Sequence, residues 1–189
     1  MEKIKINMGC GWRDFGDGWI SIDGGDYPHL NHKDVTKLPY GDNTVDLIYS
    51  SHLIAYFDRQ EIVPIFNEWK RVLKPNGILR IATPDFQSMS DLCAYDNIAL
   101  DAFLGPIFGK MPMGQETIYH KTIYDFDSLS KILKEIGFND IKKYDWRNTE
   151  HAGFDDHSKA HYPHDKQAID LGVFTDKHTL LSLNIEATK

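Results

Sequence analysis

The sequence predicts an α/β fold, a three-layer sandwich around a largely parallel sheet of about seven strands. Three observations carry this expectation. Short apolar runs bounded by turn residues alternate with stretches whose apolar residues recur at helical spacing. The first run ends in a glycine turn, Gly9-Cys10-Gly11. The second ends on a carboxylate, Asp23. In doubly wound sheets, glycines after the first strand let a ligand approach the backbone, and an acid after the second accepts both hydroxyls of a ribose.

The elements follow in order. Strands are expected near 3–8 and 18–22, and the segment between them, Trp12-Arg13-Asp14-Phe15-Gly16-Asp17-Gly18, is too turn-rich for a normal helix. Further strands are expected near 44–50 and 77–83, where Val45-Asp46-Leu47-Ile48-Tyr49 and Ile78-Leu79-Arg80-Ile81-Ala82 are apolar-rich. Between them, Ile62, Ile65, Phe66, Trp69, Val72 and Leu73 predict a helix over about 59–73, stopped by Lys74-Pro75-Asn76-Gly77. Phe126, Leu129, Ile132, Leu133 and Ile136 predict another over 126–136, closed by Gly137. Strands near 140–145 and 178–186 complete the sheet. Two segments lie outside this plan. Residues 86–118 carry Met89, Leu92, Phe103, Phe108, Met111 and Met113 among glycines and prolines, and are expected to form a helical lid or substrate wall. Residues 147–175 contain the polar run from Asp155 to Asp165, expected to shape the mouth of a site.

Composition fits one domain, 1–189. No apolar run is long enough to span a bilayer, and the N-terminus lacks a signal-peptide layout. Cys10 and Cys93 are the two cysteines, which argues against a disulfide framework and for a reducing cytoplasm. A formal net charge of −7 argues against a large nucleic-acid surface. The expected partner is a small polar molecule, with no nucleic acid and no membrane; a homodimer is compatible with the sequence.

The glycine turn also argues against a dinucleotide. A pyrophosphate site needs a third glycine opening a helix and an acid about 20 positions on. Here Asp23 follows Gly9 by 14 positions and no such helix is expected. Other runs extend the pattern. Asn31-His32-Lys33-Asp34-Val35 precedes Leu38-Pro39-Tyr40-Gly41-Asp42-Asn43-Thr44-Val45-Asp46-Leu47-Ile48, and Glu68-Trp69-Lys70-Arg71-Val72-Leu73-Lys74-Pro75-Asn76-Gly77 spans the helix stop. With Ser50-Ser51-His52, these runs resemble the small class I S-adenosylmethionine (SAM) methyltransferases of the type 11-like family, closely over about 4–86 and loosely beyond. The tail, with Leu181-Ser182-Leu183-Asn184-Ile185-Glu186-Ala187, looks like a branch met in bacterial surface-polysaccharide gene sets. The chain departs from the family at Ile54-Ala55-Tyr56, where relatives show Leu-Glu-His.

The resemblance implies a Rossmann-like class I fold, SAM as cofactor and S-adenosylhomocysteine (SAH) as product. It places Gly9 and Gly11 beneath the methionine and ribose, Asp23 on the ribose hydroxyls, Asp34 and Val35 at the adenine, and Ser50 and Ser51 near the sulfonium. Trp12 and Phe15, in the shortened loop, are expected to cover the cofactor. His52, at the switch point of the sheet, is the expected proton acceptor, with His120, His157 and His164 as second choices. Tyr119, Tyr124 and Tyr162 are further substrate-facing candidates. His157 and His161 are four apart, as metal ligands on a helix can be, yet Pro163 disfavours a helix and no cysteine joins them; no metal is expected. The expected reaction moves a methyl group to an oxygen or nitrogen of a sugar, sugar phosphate or polysaccharide precursor. The alternatives are a non-catalytic SAM-binding or scaffold protein and a nucleotide-sugar or NAD-linked enzyme.

Overall fold

The computed structural model describes residues 3–166 and 174–189. Its strands are β1 (Lys5–Met8), β2 (Ile20–Ile22), β3 (Val45–Ser51), β4 (Leu73–Pro84), β5 (Met111–Met113), β6 (Glu116–Ile118), β7 (Asn139–Lys143), β8 (His161–Tyr162), β9 (Thr179–Leu180) and β10 (Ser182–Thr188). Its helices are α1 (Ile62–Val72), α2 (Phe86–Tyr95), α3 (Leu104–Phe108) and α4 (Phe126–Ile136).

Six strands form the main sheet, in the order β2-β1-β3-β4-β10-β7. β1 pairs in parallel with β2 and β3, and β3 with β4, whereas β10 runs antiparallel to both β4 and β7. The expected count of about seven becomes six among the described residues. Beyond β2 there is a single parallel bridge, Ile22 to His32. Asn31 N and His32 N donate to the Ser21 carbonyl and Asp23 N to the His32 carbonyl, so the segment touches β2 without extending into a further strand.

Side-chain alternation divides the sheet into two unlike faces. Ile6, Met8, Ile22, Ile48, Leu79, Ile81, Leu183 and Ile185 join one core with Ile62, Phe66 and Trp69 of α1 and Leu129 and Leu133 of α4. The helical stripes read from the sequence are the faces that pack there. α1 begins at Ile62, after the expected start, because Asp58 Oδ1 accepts from Gln60 N and Glu61 N and holds a turn in front of it. β4 begins at Leu73: the predicted helix stop is real, but the chain leaves it directly as strand.

The opposite face carries Asn7, Ser21, Tyr49, Arg80, Asn184 and Glu186. Among the described residues its third layer consists of loops and two short 3-10 turns, Trp146–Asn148 and His157–Lys159. Phe15 stacks on Phe154 at 4.1 Å, and Tyr49 on His151 at 3.8 Å. Tyr49 donates to Asp156 Oδ2 at 2.7 Å, and Asn184 Nδ2 donates to the Ser158 carbonyl at 2.9 Å. Arg80 is paired with Glu186 and Glu150 at 2.7 and 2.6 Å. A polar sheet face suits this cover, because irregular backbone supplies hydrogen-bond partners that a helix has already used internally.

The segment 86–118 is only partly helical. α2 and α3 pack a small apolar cluster around Met89, Leu92 and Phe103, while β5 and β6 form a hairpin. Within the 147–175 insertion, residues 167–173 lie outside the described residues. No helix among the described residues is long and apolar enough to cross a membrane.

Candidate active site

A cavity of about 1110 Å³ opens at the carboxyl ends of β1, β2 and β3. A parallel sheet of this order places its ligands there. Each wall follows from a local feature of the chain. Gly9 has φ +68° and sits against Leu53; a Cβ there would fall 2.7 Å from the Leu53 Cβ, so the turn admits no side chain. Gly11 has φ +56° and lines the cavity with nothing within 4 Å of where its Cβ would stand, so backbone forms that part of the floor. Asp23 is buried, and its two oxygens fasten the loops on either side: Oδ2 accepts from Gly11 N at 2.8 Å and Oδ1 from Gly25 N at 2.7 Å.

Asp34 and Val35 form the next wall. Asp34 Oδ1 accepts from the Thr36 hydroxyl and from the amides of Thr36 and Lys37, which together hold its carboxyl below the usual carboxylate range. Val35 is fixed from behind, where Trp69 Nε1 donates to its carbonyl at 2.9 Å. Trp12 lines the mouth and is 63% exposed. Ser51 lines the cavity, whereas Ser50 points by strand alternation to the other face and is fully buried.

His52 follows β3 with φ +53°, its amide donating to the Ala82 carbonyl at 2.8 Å. Its Nε2 is enclosed and has no hydrogen-bond partner among the described residues. Burial, then His157, His120 and Arg13 nearby, push its pKa well below the ordinary histidine value, so the ring is neutral at neutral pH. The His157 ring lies 4.8 Å from it. Desolvation and the Arg13 guanidinium lower the pKa of His157 as well. His120 lines the same region, with Nδ1 2.9 Å from the Pro106 carbonyl and its ring against Tyr56; burial lowers its pKa.

The structure therefore brings Gly9, Gly11, Trp12, Asp23, Asp34, Val35, Ser51, His52, His120 and His157 to one cavity. Others named from the sequence lie elsewhere. His164 is exposed past the end of β8 and does not line the cavity. Tyr124 is buried beneath the Arg59 guanidinium, and Tyr162 packs on Phe103. Phe15 is turned into the loop layer behind the sheet. His157 and His161 diverge, His161 stacking on Phe174 at 3.7 Å, and no group of three or more metal-ligating side chains forms among the described residues. Cys10 is buried, and that burial, with Asp23 nearby, raises its thiol pKa to about 12, which leaves it inert as a nucleophile.

Arg13, Tyr27, Leu53 and Phe57 line the cavity without having been singled out from the sequence, whereas Met111 and Met113 belong to the segment expected as a helical lid or substrate wall and line it from a hairpin instead. Arg13 carries a signal, since it adjoins the glycine turn. The hairpin form carries none, because its three-residue strands are too short to show a period.

Comparison with known proteins agrees with this geometry. Residues 21–81 match the family described as a methyltransferase domain, type 11. No curated protein sequence matches. Among solved structures, a SAM-dependent methyltransferase from Archaeoglobus fulgidus is similar, with a TM-score of 0.60 and 16% identity over 99% of this chain and 86% of that one. The YcgJ protein of Bacillus subtilis gives 0.58 and 12%, covering 100% and 92%. A SAM-dependent methyltransferase from Mesorhizobium loti gives 0.56 and 13%, covering 100% and 91%. At these identities the likeness is one of fold. The residues present fit the adenosyl cofactor: a side-chain-free floor at Gly11, a buried acid with lone pairs to spare, and a cavity large enough for it. Residues 21–81 thus carry the match to a methyltransferase domain of type 11, and the whole described chain has a fold similar to that of solved class I SAM-dependent methyltransferases.

Proposed function

We propose that the enzyme methylates an oxygen, or a nitrogen, of a small polar acceptor of the sugar or sugar-phosphate class, including precursors of surface polysaccharide. The observation that carries this reading is the neutral His52 ring, set beside His157 and His120 in the cavity that also contains Asp23. A hydroxyl must lose its proton as it is alkylated, and a neutral imidazole is placed to take it.

Each residue has a task in this reading. Asp23 holds the ribose hydroxyls, the Gly9–Gly11 backbone runs beneath the methionine end, and Asp34 and Val35 flank the adenine. When bound, SAM supplies a methyl group on a sulfonium centre, ready for in-line displacement. The protein contributes alignment and the exclusion of water. Met111, Pro112 and Met113 of the hairpin, with Tyr119 and His120 beyond it, wall the cavity. His52 accepts the acceptor's proton on its imidazole, and His157 and His120 hold its hydroxyls.

The test is transfer of labelled methyl from SAM to a panel of sugars and sugar phosphates. His52→Asn is the informative variant, because asparagine tolerates the positive φ at this position. Turnover should fall by about 10²- to 10⁴-fold, the usual worth of a general base, with SAH affinity changed less than about threefold. Equal loss of turnover and affinity would make His52 a cofactor-positioning residue instead.

A further inference from the structure

The acceptor end of the cavity carries a fixed cation that a neutral sugar does not require. Arg13 lines it, half-buried, in the loop that follows the glycine turn. Its Nε donates to the Asp155 carbonyl at 2.6 Å, which holds the guanidinium against the 147–175 insertion. One face of the Arg13 side chain is covered by the Trp12 ring, 4.8 Å from Cζ. Nη2 lies 3.4 Å from His157 Nε2.

No carboxylate among the described residues pairs with Arg13, although Asp155 and Asp156 act on the neighbouring His157. Arg71, Arg80 and Arg147, by contrast, each pair with a carboxylate. The acids of the same cavity are engaged elsewhere, Asp23 on Gly11 and Gly25 and Asp34 on its own turn. Arginine keeps its proton at every working pH. A planar, anchored guanidinium with free N–H groups beside an imidazole is a fork suited to a carboxylate or a phosphate.

We propose that Arg13 is the specificity-determining anchor of the acceptor site. It binds an oxyanion of the acceptor beside His157, so that the group to be methylated comes to His52. The proposal rests on the methyltransferase reading of this cavity and deepens it: the acceptor is an acid, a carboxylate-bearing or phosphorylated polyol, and not a neutral one. The neighbouring groups leave room for that charge. His157 faces Arg13, His52, His120 and the acids Asp155 and Asp156, and of these only the two acids oppose an anion.

The experiment follows the His157 ring by NMR in the SAH-loaded protein at pH 7.5, its resonance assigned with His157→Gln. Inorganic phosphate and acetate are titrated separately. The expected result is a saturating shift of His157 with one or both anions, the stronger naming phosphate or carboxylate as the source. In Arg13→Gln the half-saturating concentration should rise about tenfold or more, as loss of a charged hydrogen bond implies. Arg13→Lys should fall between the two, keeping a charge but losing the fork. A silent His157 in the wild-type protein, or an unchanged response in Arg13→Gln, would overturn the proposal. Calorimetry of SAH on the same samples separates the two levels. Failure of the wild type to bind SAH removes the methyltransferase reading itself, whereas SAH binding with a silent His157 removes the anion anchor alone.

Discussion

Asp23 has two carboxylate oxygens, and the amides of Gly11 and Gly25 each take one lone pair, leaving one on each oxygen for a ligand. The residue is therefore both the brace of the glycine turn and a ready acceptor for a pair of hydroxyls. Asp23→Ala should weaken SAH binding about tenfold to a hundredfold by calorimetry, the worth of hydrogen bonds to a charged group. Unchanged affinity would remove it from the cofactor site. The place of Asp23 in the cavity is legible in the sequence because it stands at a strand end, and strand ends are marked by turns. That of Ser50 is not. Its neighbour Ser51 lines the cavity while Ser50 faces the opposite way, and a one-residue difference in register is invisible before the strand is placed. His164 departs from expectation for a similar reason. Its chemistry suits a site, but β8 ends before it and leaves it at the surface.

α4 shows how far local signals reach at the scale of an element. Its bounds, Phe126–Ile136, are those the apolar stripe predicts, because both ends are written into the chain. Asp125 accepts from Ser128 N at 2.8 Å while the Ser128 hydroxyl accepts from Asp125 N at 3.2 Å. At the other end Gly137 takes a left-handed turn at φ +91°. The two ends are a capping box and a glycine stop. Asp125→Ala should cost about 1 kcal/mol in urea denaturation, the usual worth of a helix cap. A change below the error of the measurement would mean that packing on α1 alone defines this terminus. The hairpin of β5 and β6 is the contrasting case. Gly114 makes the turn at φ +61°. Strands of three residues cannot show alternation, however, and the methionines read equally well as helix. The third layer of the sandwich also differs in kind from a helical one. Its residues read as loop-forming one by one, yet nothing in a linear sequence says that the polar run 150–158 covers Tyr49 and Arg80.

A buried histidine in that loop layer makes the stability of the whole molecule depend on pH. His151 is fully buried on Tyr49, and both ring nitrogens lack a partner among the described residues. Burial, only partly offset by Asp156, lowers its pKa from 6.5 to about 4. The unfolded chain therefore binds a proton near pH 6.5 that the folded chain refuses until about pH 4, and stability falls as pH drops through that window. The loss from this residue is roughly 3 kcal/mol, complete below pH 4. His52, His157, His120 and His161 are lowered too and act in the same direction. His151→Phe keeps the stacked ring and removes the titration, so its unfolding free energy should fall less steeply than that of the wild type between pH 7 and 4.5. Parallel curves would show that another group sets the acid limit. The connectivity of this layer has a consequence for how the enzyme can be altered. β7 and β10 are antiparallel neighbours, so everything between them is formally one long hairpin loop. A loop tied at adjacent strand ends can change length at small entropic cost and leaves strand order and crossover handedness untouched. The loop that gives the cavity His157 is thus open to exchange as a unit, while Gly9, Gly11, Arg13 and Asp23 stay with the first three strands.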